Sequence, residues 1–472
     1  MKIVIIIIAL SIILISNLQS YAQNNEIRID TVSKNDSLQK PQIFLNRIII
    51  DGNEITEDEI ILRELSIKEN SYLDLEELQE DVLRIYNLGL FTKVDILPIP
   101  IGENKINLII QVEESFYFLP VPIGGFKDND FKKFWGGIDF MWRNFRGRNE
   151  TVGLNFGLFY EPFINLYYSL PWIGEKEHYF SSMGVGYSVN ENQSTVIEKG
   201  SSTNSGTTIV ENYVLKNFNG NLAFGKYITK SLYSYVNFSY NHSSVSEYKE
   251  GRTFSEDGTD QYPTLSFVLG YDTRDLVEYA TYGSLHKVIY MKYGFFNNNI
   301  NFNKFKLDFR RYIPIKITDE YSITFATRLK SSLAFGGRIP SYLHEFFGYN
   351  EIIRGWNEIL LEGENQIGVF SEFRIPLLKP RYVQGKDHPF VKNISFLKNF
   401  NYKYGIYLTL FFDMGGVWNK NDNFFKTRYR NGFGTGLNLI LPFGFVGRLD
   451  LAFRKDNDEL IPQLNVALNA SF

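Results

Sequence analysis

At 472 residues the chain is too long for one ordinary domain, so it must divide somewhere. A net charge of −4 offers no basic face to neutralise phosphates, which excludes nucleic acid as the partner; the absence of cysteine excludes disulfides, thiol nucleophiles and a lipid-modified N-terminal cysteine. Tyrosine (30) and phenylalanine (41) are abundant while hydrophobic residues make up only 44%, a balance that suits aromatics at a membrane interface and polar groups in a lumen, and also a soluble β-rich domain.

Lys2 precedes the apolar run Ile3 to Ile15, and Ser20-Tyr21-Ala22 places small residues where a signal peptidase reads them, so residues 1–22 are expected to be a signal peptide. The run is shorter than the ~18 to 20 apolar residues of a spanning anchor. After Ala22 no second long apolar run occurs, so a membrane crossing has to be made by strands. Residues 23–41 are polar, with little to bury, and read as a flexible linker.

Between residues 42 and 115 the pattern predicts strand, helix, helix, strand, strand. Phe44 to Ile50 reads as the first strand, and Thr56-Glu57-Asp58-Glu59 as a capping box opening a helix through Leu65. Asp74 caps a second helix with Leu75, Leu78, Val82 and Ile85 on one face, and Gly89 ends it. Strands follow at Phe91 to Leu97 and Ile106 to Val112. With Asp51-Gly52-Asn53 after the first strand and Asn87-Leu88-Gly89-Leu90-Phe91 after the second helix, this stretch resembles a POTRA domain. The resemblance implies a free sheet edge that takes up extended client or partner segments by strand addition.

Residues 116–472 read as about 16 alternating strands, an even number within the bacterial range, with cores running from 116–125 to 463–472. In the last, Val466, Leu468, Ala470 and Phe472 point one way and Asn465, Ala467, Asn469 and Ser471 the other, as lipid outside and water inside require. Val466, Leu468 and Phe472 also resemble the C-terminal signal by which barrel proteins are recognised for insertion. Strand parity puts 190–211, 245–260 and 336–366 in surface loops and 144–149 and 441–443 in short turns; Leu377 to Asn401 is long for such a turn and reads as an insertion.

Two motifs stand out. Ile353-Arg354-Gly355-Trp356 is a cationic, aromatic tip in a polar loop, and Phe411-Phe412-Asp413-Met414-Gly415 is a strand with one acid among aromatics. Set in such a barrel, this pairing resembles the BamA/TamA family of outer-membrane assembly and translocation proteins, within the bacterial surface antigen superfamily. The resemblance implies that the loop folds back into the lumen, where Arg354 contacts Glu372 and Asp413, Gly355 allows the turn and Trp356 packs on the wall. It implies a conformational role for them. Asp272, Arg274 and Asp275, followed by Gly283, form a second family-like signature at a turn, and a self-capping charged turn is the competing reading. Gly432, Gly434 and Gly436 occupy alternate positions of one strand, which points to close backbone approach or sharp curvature.

Enzyme signals are weak. Gly220 to Lys226 begins a phosphate-loop pattern, but Tyr227 replaces its Ser or Thr and the segment alternates like a strand. No Gly-x-Ser-x-Gly elbow occurs and the five histidines lack metal-ligand spacing, so no catalytic residue, metal or cofactor is assigned. The predicted fold is mainly β: a 16-stranded antiparallel transmembrane β-barrel with one small N-terminal α+β POTRA domain. By resemblance it sits in the bacterial outer membrane with the POTRA domain in the periplasm. Its partners are then the lipid bilayer, unfolded barrel or exported clients docking at the POTRA edge, and a periplasmic protein at that edge. A two-partner-secretion type transporter of one exoprotein and a passive porin or adhesion barrel are the other readings.

Overall fold

The computed structural model describes residues 43–126, 131–174, 178–196, 209–295, 300–348, 351–357, 359–387, 393, 401–441, 446–456, 458–468 and 472. The signal-peptide and linker readings lie outside these residues. No described helix is long and apolar enough to cross a membrane.

The N-terminal unit is a four-stranded sheet backed by two helices. Strands β1 (Phe44–Asp51), β2 (Ser71–Tyr72), β3 (Phe91–Gly102) and β4 (Lys105–Glu114) stand in the order β2-β1-β4-β3, with β1 and β4 parallel. Helix α1 (Asp58–Leu62) and helix α2 (Leu75–Asn87) cover one face. Leu78 and Ile85 of α2 pack on Ile61, Leu90, Leu108 and Ile110, while Leu75, at the mouth of the helix, stays 60% exposed. The Asp74 carboxylate accepts from the amides of Glu76 and Glu77, satisfying donors that the first turn leaves free. Gly52, at φ +90°, is obligatory: a Cβ there would lie 2.1 Å from the Val112 carbonyl oxygen.

The capping box does not form. Helix α1 starts one residue late, with Glu57 at the N-cap and no side-chain cap, and stops at Leu62 rather than Leu65. Thr56 is committed elsewhere: its hydroxyl donates to Glu114 (2.6 Å) and contacts the Tyr117 hydroxyl (3.0 Å), while Asn144 of the barrel donates to it (2.8 Å). A buried interdomain network thus outcompetes a local cap.

The second unit is one 16-stranded sheet, with consecutive strands joined antiparallel throughout. Its strands are β5 (Phe118–Phe126), β6 (Phe134–Phe145), β7 (Glu150–Phe159), β8 (Phe163–Ile173), β9 (Tyr179–Val196), β10 (Ile209–Tyr227), β11 (Leu232–Val245), β12 (Thr259–Asp272), β13 (Gly283–Tyr293), β14 (Phe302–Lys316) and β15 (Ser322–Gly336). After the short hairpin β16 (Glu345–Phe347) and β17 (Leu361–Gly363) come β18 (Asn365–Gln384), β19 (Asn401–Trp418), β20 (Arg430–Ile440), β21 (Val446–Asp456) and β22 (Glu459–Leu468). Alternation sets the two faces. On β19, Thr409, Phe411 and Asp413 are buried, while Leu410, Phe412 and Met414 are 47%, 45% and 39% exposed. That is the pattern of a filled lumen and an apolar outer wall.

Three readings change here. Strand β18 continues to Gln384 with register shifts near Pro376 to Arg381, so residues 377–384 of the expected insertion at Leu377–Asn401 are extended strand. Strands β9 and β10 likewise run into the loop read at 190–211. The last strand is described as far as Leu468, and Phe472 leaves the alternating face: Val466 is 78% exposed, whereas Phe472 is 7% exposed among Tyr312, Phe370 and Ala280 in the interior. An aromatic, cationic pocket at the Phe472 ring outweighs continued strand periodicity. Among the described residues no hydrogen-bonded register joins β5 to β22.

The N-terminal domain lies across the mouth of the barrel at the end carrying the short turns. It contacts the β6–β7 turn (Glu57 amide to Gly147 carbonyl, 2.9 Å), the end of β8 (Arg63 guanidinium 4.5 Å from the Trp172 ring) and the β10–β11 turn (Lys230 ammonium to Ser66 hydroxyl, 2.7 Å). It also reaches the β12–β13 turn (Asn87 to the Asp275 carbonyl, 3.0 Å) and β19 (Lys403 ammonium 5.3 Å from the Tyr86 ring). Burial, assisted by the nearby Arg84 charge, lowers Lys230 from 10.5 to about 8 even at an exposed turn. The docked state then surrenders a proton that the undocked state keeps, so docking strengthens as pH rises from about 8 to 10.5 and gains nothing below 8. Energy transfer between dyes on the two domains should rise over that window in the wild type and stay flat in Lys230→Gln.

Candidate functional site

The site is built by one loop and the lumenal faces of five strands. The loop between β17 and its hairpin partner β16 carries Ile353, Arg354, Gly355 and Trp356, all buried. Gly355 sits at φ +94°, the left-handed conformation that turns the chain back, and its carbonyl accepts from Arg454 of β21 at 2.8 Å. The turn delivers Arg354, 3% exposed, to two acids.

Every nitrogen of its guanidinium is engaged. Nε and Nη2 donate to the two oxygens of Asp413 (2.7 and 2.6 Å), Nη1 donates to Glu372 (2.6 Å), and the Arg354 amide also donates to Asp413 (3.2 Å). The planar fork engages one carboxylate bidentately and the other singly, a geometry lysine cannot reproduce. The Phe411 ring lies 3.6 Å beneath the guanidinium carbon, adding a cation–π contact in a desolvated setting. Glu372 and Asp413 are 1% and 0% exposed, so both charges need a buried cation, and Asp413 takes its hydrogen bonds from Arg354.

Trp356 donates its indole N–H to the Asn431 carbonyl (2.7 Å), and Arg430 and Arg454 lie 4.4 and 5.1 Å from its ring. One residue on, the Asn357 amide donates to Gln463 of β22 (3.2 Å), and its side chain donates to Asn465 of the same strand. The loop tip therefore holds the last two strands of the sheet as well as β18 and β19.

The glycine stripe on β20 makes room for this. A Cβ at Gly432 would sit 1.9 Å from the Arg354 carbonyl oxygen; at Gly434 it would meet the Leu451 carbonyl at 2.1 Å, and at Gly436 an Asp450 carboxylate oxygen at 2.2 Å. Close approach is the reason for the repeat.

The β12–β13 turn is self-capped. Arg274 makes a fork to Asp272 (2.9 and 2.7 Å), Asp275 accepts from the Thr281 and Tyr282 amides (2.9 and 3.1 Å), and Gly283 at φ +95° touches the Thr273 carbonyl. Toward the N-terminal domain, its Asp275 carbonyl accepts from Asn87. Of the terminal residues, Val466 and Leu468 belong to β22, with Val466 exposed, whereas Phe472 is buried in the lumen cluster.

Sequence reasoning missed Arg374 and Asp450. Arg374, fully buried, donates through Nε to the second oxygen of Glu372 (3.2 Å), so Glu372 lies between two arginines. It follows Glu372 by two residues, hence shares its face, which was the available signal. Asp450, also fully buried, lies between the outward Leu449 and Leu451 and 2.9 Å from the Arg448 guanidinium.

Comparison with known proteins places this arrangement. Residues 144–472 match the Omp85 superfamily domain and residues 43–115 the surface antigen variable number repeat of POTRA type. Among curated proteins, the chain is 25% identical over 140 residues to the outer membrane protein assembly factor BamA of Nitratidesulfovibrio vulgaris, covering 29% of this chain and 17% of that protein. It is 28% identical over 131 residues to the chloroplastic outer envelope protein 80 of Oryza sativa subsp. japonica, covering 25% and 19% respectively. The matched segments thus span under a fifth of either relative. Among solved structures, BamA from Haemophilus ducreyi lacking POTRA domains 1–3 superposes at TM-score 0.51 with 16% identity, covering 90% of this chain and 84% of that one. CdiB from Escherichia coli superposes at 0.57 with 14% identity, covering 90% and 75%; at these identities both establish the fold alone. With the superfamily domain matched over more than half its length, beside a POTRA repeat and a mainly β fold of one 16-stranded sheet, the chain belongs to the Omp85 superfamily.

Proposed function

We propose that this protein sits in the bacterial outer membrane, with residues 42–115 as a periplasmic POTRA domain and 116–472 as the barrel, and inserts client proteins into that membrane or passes them across it. Residues 1–22 would direct export and 23–41 would tether. No covalent chemistry is involved; the work is conformational. Whether the role is closer to that of BamA or of TamA is a question of clients.

One observation carries this reading: a buried arginine loop grips the strands next to an unpaired seam. Arg354 ties the loop to β18 and β19, and Asn357 ties it to β22, whose edge has no described register with β5. Backbone donors and acceptors left open in lipid cost several kcal/mol each, so a client strand that pairs with the seam is drawn to it. The POTRA edge supplies the earlier encounter. Strand β3 is one edge of the sheet, the two-residue β2 being the other; Pro98 and Pro100 lack the N–H an added strand needs, so strand addition on β3 is confined to Phe91–Leu97.

Depleting the protein and quantifying the outer-membrane proteome tests the reading. Loss of barrel proteins is the expected result. Loss of a single exported protein would mark a dedicated transporter, and an unchanged proteome with altered permeability would indicate a passive pore and overturn the proposal.

A further inference from the structure

The lumen holds a second constellation, on the far side of Glu372 from Arg354. Arg374 Nη2 donates to the Phe472 main-chain carbonyl at 2.8 Å, and Nη1 donates to the Ala280 carbonyl at 2.7 Å. The guanidinium lies 4.3 Å from the Tyr279 ring, 5.2 Å from Tyr312 and 5.5 Å from Phe472. Tyr312 and Phe370 flank the Phe472 ring at centroid distances of 6.5 and 6.4 Å, and Ala326 and Ala280 close the floor. A phenyl ring is thus boxed by aromatics while its own carbonyl is read by a fixed cation.

We infer that this is a binding pocket for a peptide segment presenting a phenylalanine ring together with its main-chain carbonyl or carboxylate, occupied in this state by the chain's own Phe472. Two features separate it from ordinary core packing. The occupant, Phe472, is itself outside any strand, and the described register of β22 contains no pair made by it. The recognising cation is held in place by Glu372 and by the Ala280 carbonyl, independently of Phe472, so the pocket is preorganised for a replacement ligand. A tethered occupant competes at an effective concentration in the millimolar range for short linkers, so free peptide binds weakly until Phe472 is removed. Exchange would also be felt at Arg354, because Glu372 contacts both arginines. The pocket stands on its own geometry and does not require the client-insertion reading.

The probe is a fluorescent Ala-Ala-Ala-Phe peptide titrated against the full-length chain in detergent. Phe472→Ala should bind it saturably and at least about ten-fold more tightly than the wild type, the share of pockets freed setting the gain. Adding Tyr312→Leu should abolish that gain, and a peptide ending in Ala should not bind. In the otherwise native chain, benzoylphenylalanine at 472 should crosslink to β14 or β18, and excess Phe peptide should suppress the crosslink; this arm does not depend on the alanine variant folding. Equal binding by Phe472→Ala and wild type, or a crosslink indifferent to peptide, overturns the inference.

Discussion

Replacing Arg354 with alanine should release the loop from the lumen while leaving the 16-stranded sheet folded. The substitution strands Asp413, which has no solvent, and leaves Glu372 to Arg374 alone; removing one partner of a buried ion pair typically costs about 3 to 5 kcal/mol. A bias of that size shifts a two-state equilibrium by roughly 100-fold or more. Single-channel recordings should change from a small, quiet conductance to a larger, fluctuating one, and the loop should become sensitive to protease added from outside. Arg354→Lys should recover only part of the lock, because an ammonium cannot fork onto Asp413 while reaching Glu372. Gly432→Ala tests the same state sterically: its methyl group collides with the Arg354 carbonyl and should open the pore without changing any charge. The charge account has its own control. Combining Arg354→Ala with Asp413→Asn removes the uncompensated charge while Glu372 keeps its pairing with Arg374, so thermal stability should return while the pore stays open. A double variant as unstable as the single one would show that the arginine acts through packing and not through charge.

Legibility in the sequence followed the range of the forces involved. The strands were readable because lipid and water impose a two-residue period at every position; β19 keeps Phe411 and Asp413 inside and Phe412 outside with no exception near the site. Strand ends were not readable, since they are decided by tertiary partners. Phe472 continues the period of β22 in sequence but turns inward toward Arg374, a residue about 100 positions away that no local pattern announces. Thr56 shows the same competition on a smaller scale, its hydroxyl drawn from a local cap to Glu114, Tyr117 and Asn144. The β16–β17 hairpin was hidden for another reason: three residues a side give no periodicity to detect. Within the site, Arg354, Glu372 and Asp413 were named through a family resemblance, whereas spacing alone sufficed to put Arg374 on the face of Glu372 and was not used.

A disulfide across the seam should abolish client insertion while leaving the molecule folded. The chain contains no cysteine, so Phe118→Cys with Val466→Cys introduces a unique pair. Both side chains face outward, at 48% and 78% exposure, and the antiparallel order of an even-stranded sheet brings the start of β5 near the end of β22. Strand β5 has nine residues and β22 has ten, and neither has a described partner along its outer edge. Even a few unsatisfied donors and acceptors in hydrocarbon, at several kcal/mol each, exceed the ~3 to 5 kcal/mol of the arginine lock. On the proposed function, the seam is then the larger reservoir of free energy, and the lock, through Asn357 on β22, determines when it becomes available. A bridge forms only if the Cα atoms approach within about 7 Å, so oxidation itself reports how near the two edges come. Oxidised protein should lose insertion of a test barrel into vesicles by at least about ten-fold, the equivalent of 1.4 kcal/mol or more, and reductant should restore it. Full activity in the oxidised form would mean that clients do not enter through this edge. The lock would then govern passage through the lumen instead, as a transporter of a single exoprotein requires.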